Sequence, residues 1–195
     1  MYSIEDKYTF TYEIKRSKFI AYIMPYERYV LELKRLRSTH PKARHFVTAY
    51  RYLNQFNQIV ESSSDDGEPS GTSGRPSLTV LQGAELINVA VVIVRYFGGV
   101  KLGTGGLVRA YTQAVLGVVE SAMLLTYEEL KPIEFCSSYS AIEQILFLLK
   151  KCNIEQIERT YEADLVLWSI EASDLSLKQF YATVPYGLGL ELPDL

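Results

Sequence analysis

Cysteine is scarce, with only Cys136 and Cys152 in 195 residues. They form no CxxC pair, which excludes a zinc ribbon, a thioredoxin-type redox centre and a small disulfide scaffold. Two reduced, buried thiols are expected instead. Long apolar runs are missing too. The longest purely aliphatic stretch, VAVVIV at 89–94, is far too short to span a bilayer. The first residues, MYSIEDKYTFTYEIKRSK, mix both charges with aromatics and lack an apolar core segment. No signal peptide and no membrane association are expected, and a cytoplasmic location is. Positive charge is in deficit: the net charge is -3. That argues against indiscriminate nucleic-acid binding by the whole molecule. There is no GxSxG, no HExxH and no Cys–His spacing, so no familiar catalytic centre, metal site or cofactor is read.

What remains is ordinary globular material, 48% hydrophobic and 22% charged. The charge is unevenly placed. Residues 1–130 carry 15 Lys/Arg against 13 Asp/Glu, whereas residues 131–195 carry 5 against 10. With Lys131–Pro132 as a boundary, the pattern predicts two domains, 1–130 and 131–195, with different surfaces.

Residues 8–25 alternate as two strands about a turn at Lys15–Ser17. Tyr26, Val30, Leu33 and Leu36 then recur at helical spacing, and Pro41 stops the helix. Residues 45–53 read as a strand. Residues 62–77, SSSDDGEPSGTSGRPS, hold no aliphatic or aromatic side chain and read as one long loop. A short helix over 77–86 follows Pro76, then a doubly buried strand at 89–96 and a helix from about 104 to 125. Beyond the boundary the pattern predicts strand 133–137, helix 139–151, strands 154–160 and 163–171, helix 174–183 and strand 186–191. That βαββαβ order is the ferredoxin-like plan, so the class is α+β.

Two segments carry the candidate chemistry. In RYFGGVKLGTGGLVRAY (95–111) the glycines Gly98, Gly99, Gly103, Gly105 and Gly106 let a backbone turn sharply and a ligand approach closely. Thr104 stands where a helix N-cap is expected, and the helix start offers free N–H groups. Arg95, Lys101 and Arg109 bracket the turn with positive charge, and Arg75 lies in the preceding loop. Such a set binds phosphate, carboxylate or a nucleic-acid backbone. Arg95 and Lys101 are expected to hold the ligand without holding the domain together. Nucleotide templates fail. Thr104 occupies the place of a P-loop lysine, and Val108 stands where a dinucleotide fingerprint needs Gly or Ala. Glycines that merely pack helix on sheet are the competing reading.

The other segment holds Asp65, Asp66, Gly67, Glu68, Pro69, Gly71 and Gly74. Its acids are hard-oxygen donors of the kind Mg²⁺ accepts, but the spacing fixes no ligand set and solvated acids are the simpler reading. His45, beside Arg44, is a polar partner for this region. His40 reads as turn chemistry before Pro41.

The strings DDGEPSGTSGRP (65–76) and VRYFGGVKLGTGGLVRAY (94–111) resemble the two signature blocks of the IMPACT/YigZ family, and KRSKFIA (15–21) resembles its N-terminal block. The resemblance runs over essentially the whole chain. It implies a first domain like the second domain of a small-subunit ribosomal protein, and a second domain like the late ferredoxin-like domains of elongation factor G. It also implies work in translation, through protein partners in the eukaryotic members and through RNA or the ribosome in the bacterial ones. One block departs from the family: where Asn and Cys usually follow the histidine, Phe46 and Val47 follow His45.

Three functions are open at this point. One is an RNA- or ribosome-associated binding protein that regulates translation, without catalysis. Another is a protein adaptor to a translation factor. The third is a phosphate-dependent hydrolase built on Asp65, Asp66, Glu68 and His45. Binding is favoured over catalysis.

Overall fold

The structure, a computed structural model, describes residues 1–185 together with Leu188 and Leu190. The chain divides into two units, Met1–Tyr127 and Glu128–Leu195. Drawn at Tyr127, the division leaves 15 Lys/Arg against 11 Asp/Glu in the first unit and 5 against 12 in the second.

The first unit runs β1 (Tyr2–Ser3), β2 (Tyr8–Ile14), β3 (Ser17–Pro25), a 3-10 turn (Tyr26–Arg28) into α1 (Tyr29–Thr39), β4 (His45–Leu53), β5 (Ile59–Ser64), α2 (Gly74–Gly83), β6 (Val89–Tyr96), α3 (Thr104–Glu120) and β7 (Leu125–Thr126). Five strands form an antiparallel sheet in the order β2-β3-β6-β4-β5. The β6 strand is central and apolar on both faces. Val89, Val91 and Ile93 join the core built with α2 and α3, and Ala90, Val92 and Val94 join the one built with α1. Strand alternation sends successive side chains to opposite faces, so a strand covered on both sides needs an unbroken apolar run. Lys15 and Arg16 turn the β2–β3 hairpin with φ of 46° and 63°, the primed-turn geometry that matches strand twist.

The polar segment 62–77 is not one loop. Ser62–Ser64 belong to β5 and pair with Tyr50, Ala49 and Thr48. An edge strand satisfies its backbone on one side and leaves small polar side chains in water. The helix expected at 77–86 is α2, which starts at Gly74 and keeps Pro76 in its first turn. The α3 helix stops at Glu120 rather than near 125, because Leu125 and Thr126 are drawn into pairing with β1.

The second unit runs β8 (Leu130–Ser137), a 3-10 turn (Tyr139–Ala141) into α4 (Ile142–Lys151), β9 (Gln156–Tyr161), β10 (Val166–Ser173) and α5 (Asp174–Thr183). Its strands pair antiparallel in the order β8-β10-β9. Phe135, Ile145, Leu149, Trp168, Leu177 and Phe180 fill its core. The Trp168 Nε1–H donates to Ser137 Oγ at 2.9 Å, so the buried indole keeps a partner. Element order and strand order follow the ferredoxin-like plan. Apart from Leu188 and Leu190, the strand expected at 186–191 lies outside the described residues. Cys152 is buried as expected, but Cys136 is only half-buried. No helix among the described residues is long and apolar enough to cross a membrane.

Candidate anion-binding cleft

The segment between β5 and α2 is organised by its own acids. Asp65 accepts the N–H groups of Gly71, Ser73 and Gly74 at 2.8, 3.0 and 2.8 Å, and the Ser73 hydroxyl at 2.6 Å. Burial alone pushes this carboxyl up, but the four hydrogen bonds outweigh it and hold the pKa below its ordinary value. Asp65 thereby caps α2 from outside the helix. The Asp66 carboxylate accepts the Phe46 N–H at 2.6 Å and an Arg37 N–H at 2.9 Å. Its carbonyl lies 2.9 Å from His45 Nδ1. A carbonyl only accepts, so Nδ1 carries the proton and Nε2 is left to the other side of the ring. These contacts engage both aspartates. Among the described residues, no group of three or more His, Cys, Asp or Glu is placed to hold a metal ion.

Asp66 and Gly67 both adopt positive φ, 43° and 85°, and Glu68 after them is buried. Glu68 Oε1 accepts from Arg95 Nη1 and from the Tyr111 hydroxyl, the latter at 2.7 Å. The Glu68 and Arg95 side chains are 3% and 7% exposed. Burial first, then the Glu68 carboxylate, push the Tyr111 pKa far up and keep it a donor. The Arg95 guanidinium lies 5.4 Å from the Phe19 ring centre and 5.8 Å from that of Phe97. Its Nε–H is buried with no acceptor among the described residues. Arg95, expected as a ligand-holding cation, thus has its charge paired with Glu68 and is also part of the frame.

A cleft of about 460 Å³ opens here. Glu68, Pro69 and Arg95 line it, as do Arg44 and His45 from the start of β4, and Phe97 and Lys101 from the loop after β6. Gly103 and Thr104 bring the start of α3 to the same cleft. Thr104 is not the N-cap. Gly103 is, with φ of 71°, and Thr104 is the first helical residue. The Leu107 N–H reaches the Gly103 carbonyl at 2.9 Å. In any α-helix the N–H groups before that point, here those of Thr104, Gly105 and Gly106, have no intrahelical acceptor. No acidic residue lies in this first turn to take them.

The other sequence candidates lie elsewhere. Arg75 and Gly71 line a separate groove between α2 and α3 with Val108 and Leu116. Arg109 is exposed on α3 beyond the cleft lining. Gly98 serves packing. A Cβ there would sit 2.1 Å from the Arg16 carbonyl carbon. Gly74 likewise lies against the Ser64 backbone, where a Cβ would come within 2.8 Å. Gly99 holds φ of 86°, a turn conformation. Sequence reasoning gave Arg44 no part in the ligand set and did not single out Phe97. The signal for Phe97 is a lone aromatic between a buried strand and the glycines. His40 is more than turn chemistry: Tyr22 and Tyr96 hydroxyls flank its ring nitrogens at 3.1 and 2.8 Å.

Residues 15–119 match the Impact N-terminal domain. An IMPACT family member of Haemophilus influenzae is 36% identical over 167 residues, covering 81% of this chain and 78% of its own. The IMPACT family member YigZ of Escherichia coli is 35% identical over 161 residues, covering 80% and 78%. A crystal structure of an hypothetical protein superposes with a TM-score of 0.72 at 30% identity, over 100% of this chain and 96% of that one. The Impact domain match spans more than half of the residues, and both relatives extend beyond it: the chain belongs to the IMPACT family.

Proposed function

We propose that this protein binds nucleic acid, as RNA alone or in the ribosome, and regulates translation by binding rather than by catalysis. The observation that carries the reading is the cleft at the start of α3. The start of α3 at Gly103 and Thr104, the exposed Arg44 and Lys101, and a buried Arg95 whose Nε–H has no acceptor among the described residues all line it. Donors and positive charge together fit a phosphate group. The acidic surplus sits in the second unit, so the first keeps a favourable local field despite the net charge of -3.

Fluorescence anisotropy with a short RNA, titrated across salt, tests this. Each phosphate contact contributes a slope of about 0.7 in log affinity against log salt for a single strand. Arg44→Ala with Lys101→Ala is expected to flatten the slope by about 1.4. No binding at low salt would defeat the reading. A second reading, a protein adaptor in translation control, draws on the acidic second unit, where Phe147 of α4 and Leu175 of α5 stand exposed. It expects no salt slope. The hydrolase reading loses ground because hydrogen-bond donors engage Asp65 and Asp66.

A further inference from the structure

We infer that the cleft takes one nucleotide of single-stranded RNA and distinguishes it from DNA through the ribose 2′-hydroxyl, an inference that rests on the nucleic-acid reading above. The cleft is not made of donors alone. His45 lines it, and with Nδ1–H donated to the Asp66 carbonyl at 2.9 Å the neutral ring has only the Nε2 lone pair to offer. Glu68 lines it as well, but its carboxylate is already engaged by Arg95 and the Tyr111 hydroxyl. A phosphodiester group has acceptors and no donor, so it matches the start of α3, Arg44 and Lys101 but leaves His45 Nε2 unmatched. A ligand that joins a phosphate to a hydroxyl satisfies both sets. In nucleic acid that ligand is a ribonucleotide, because the 2′-hydroxyl donates and deoxyribose lacks it.

Phe97 supplies the third part. It lines the same cleft, is 54% exposed, and its ring centre lies 5.8 Å from the Arg95 guanidinium. An aromatic ring held by a cation and open to solvent is a stacking platform for a base. Bases inside a duplex are already stacked, so the platform selects an unpaired nucleotide. The helix start does not stand alone as evidence. Arg95, 6% exposed and lining the cleft, has an Nε–H without an acceptor among the described residues.

The test compares the full chain and its Phe97→Ala and His45→Ala variants in binding oligo(U) RNA, the matching oligo(dU) and a short RNA duplex at low salt, with thermal melting as a check on folding. RNA is expected to bind about tenfold tighter than the deoxy strand, for one hydrogen bond to the 2′-hydroxyl. Phe97→Ala is expected to weaken both single strands about tenfold, the loss of one stacked base. His45→Ala is expected to bring the RNA-to-DNA ratio close to one, the loss falling mainly on RNA. Equal affinity for oligo(U) and oligo(dU), equal affinity for the duplex, or an unaltered Phe97→Ala would overturn this inference and leave the nucleic-acid reading standing. If no oligonucleotide binds, the parent reading fails, and this one with it.

Discussion

Replacing Arg95 by alanine removes one partner of an ion pair whose side chains are 3% and 7% exposed. At that depth the range for surface pairs, about 0–1 kcal/mol, does not apply. Breaking a buried pair strands the remaining charge, here Glu68, and costs about 3–5 kcal/mol. The Tyr111 hydroxyl still donates to Glu68 at 2.7 Å, which favours the lower end. With roughly 4 °C lost per kcal/mol in a unit of this size, the first unit is expected to melt about 12–20 °C lower. Calorimetry on the full chain reads this, because the two units each have a core of their own. Combining Arg95→Met with Glu68→Gln is expected to recover most of the loss, since no charge is then stranded. An Arg95→Ala protein that melts within about 2 °C of the parent would refute the reasoning. Arg95 would then be a free cation after all.

Gly98→Ala is expected to cost about 1–3 kcal/mol, because its Cβ would lie 2.1 Å from the Arg16 backbone; chemical denaturation measures it. Gly105→Ala, with only the flexible Arg109 tip at 3.7 Å, is expected to stabilise by about 0.5 kcal/mol through helix propensity. Acid is expected to destabilise the first unit through His40 and Asp65, with Glu32 adding to the loss in the same direction as Asp65. Burial, aided by the charge of Arg35, lowers the His40 pKa, so its contribution is present above the ordinary histidine value near 6.5 and is lost as pH falls through its lowered folded value. Asp65, also lowered, loses its contribution as pH falls below about 3.8. Melting temperatures from pH 8 to 3 follow both, and a His40→Gln variant is expected to remove the earlier loss.

Strong periodicity was legible where one force dominated. The β-branched run 89–94 reads as a strand covered on both faces, and Ile142, Ile145, Leu146 and Leu149 mark the apolar stripe of α4. Elements held by distant partners were not legible. The β1 and β7 strands have two residues each and exist because they pair with each other. The Ser62–Ser64 segment has loop composition yet is a strand, because β4 supplies its hydrogen bonds. In the site, the glycine block and the helix start lie where the sequence puts them. The pairing of Arg95 with Glu68 did not show, since it joins β6 to a loop 27 residues earlier in the chain. The caps also changed owner. Gly103 holds the position expected of Thr104, because its φ of 71° is one that glycine adopts without strain.

The most direct test of the cleft is an amide NMR titration of the full chain with a short single-stranded RNA at low salt. The N–H signals of Thr104, Gly105 and Gly106 are expected to shift most, together with those of Arg44 and Lys101. Shifts confined to the groove of Arg75 and Val108, to the second unit, or absent altogether would contradict an anion site at the start of α3.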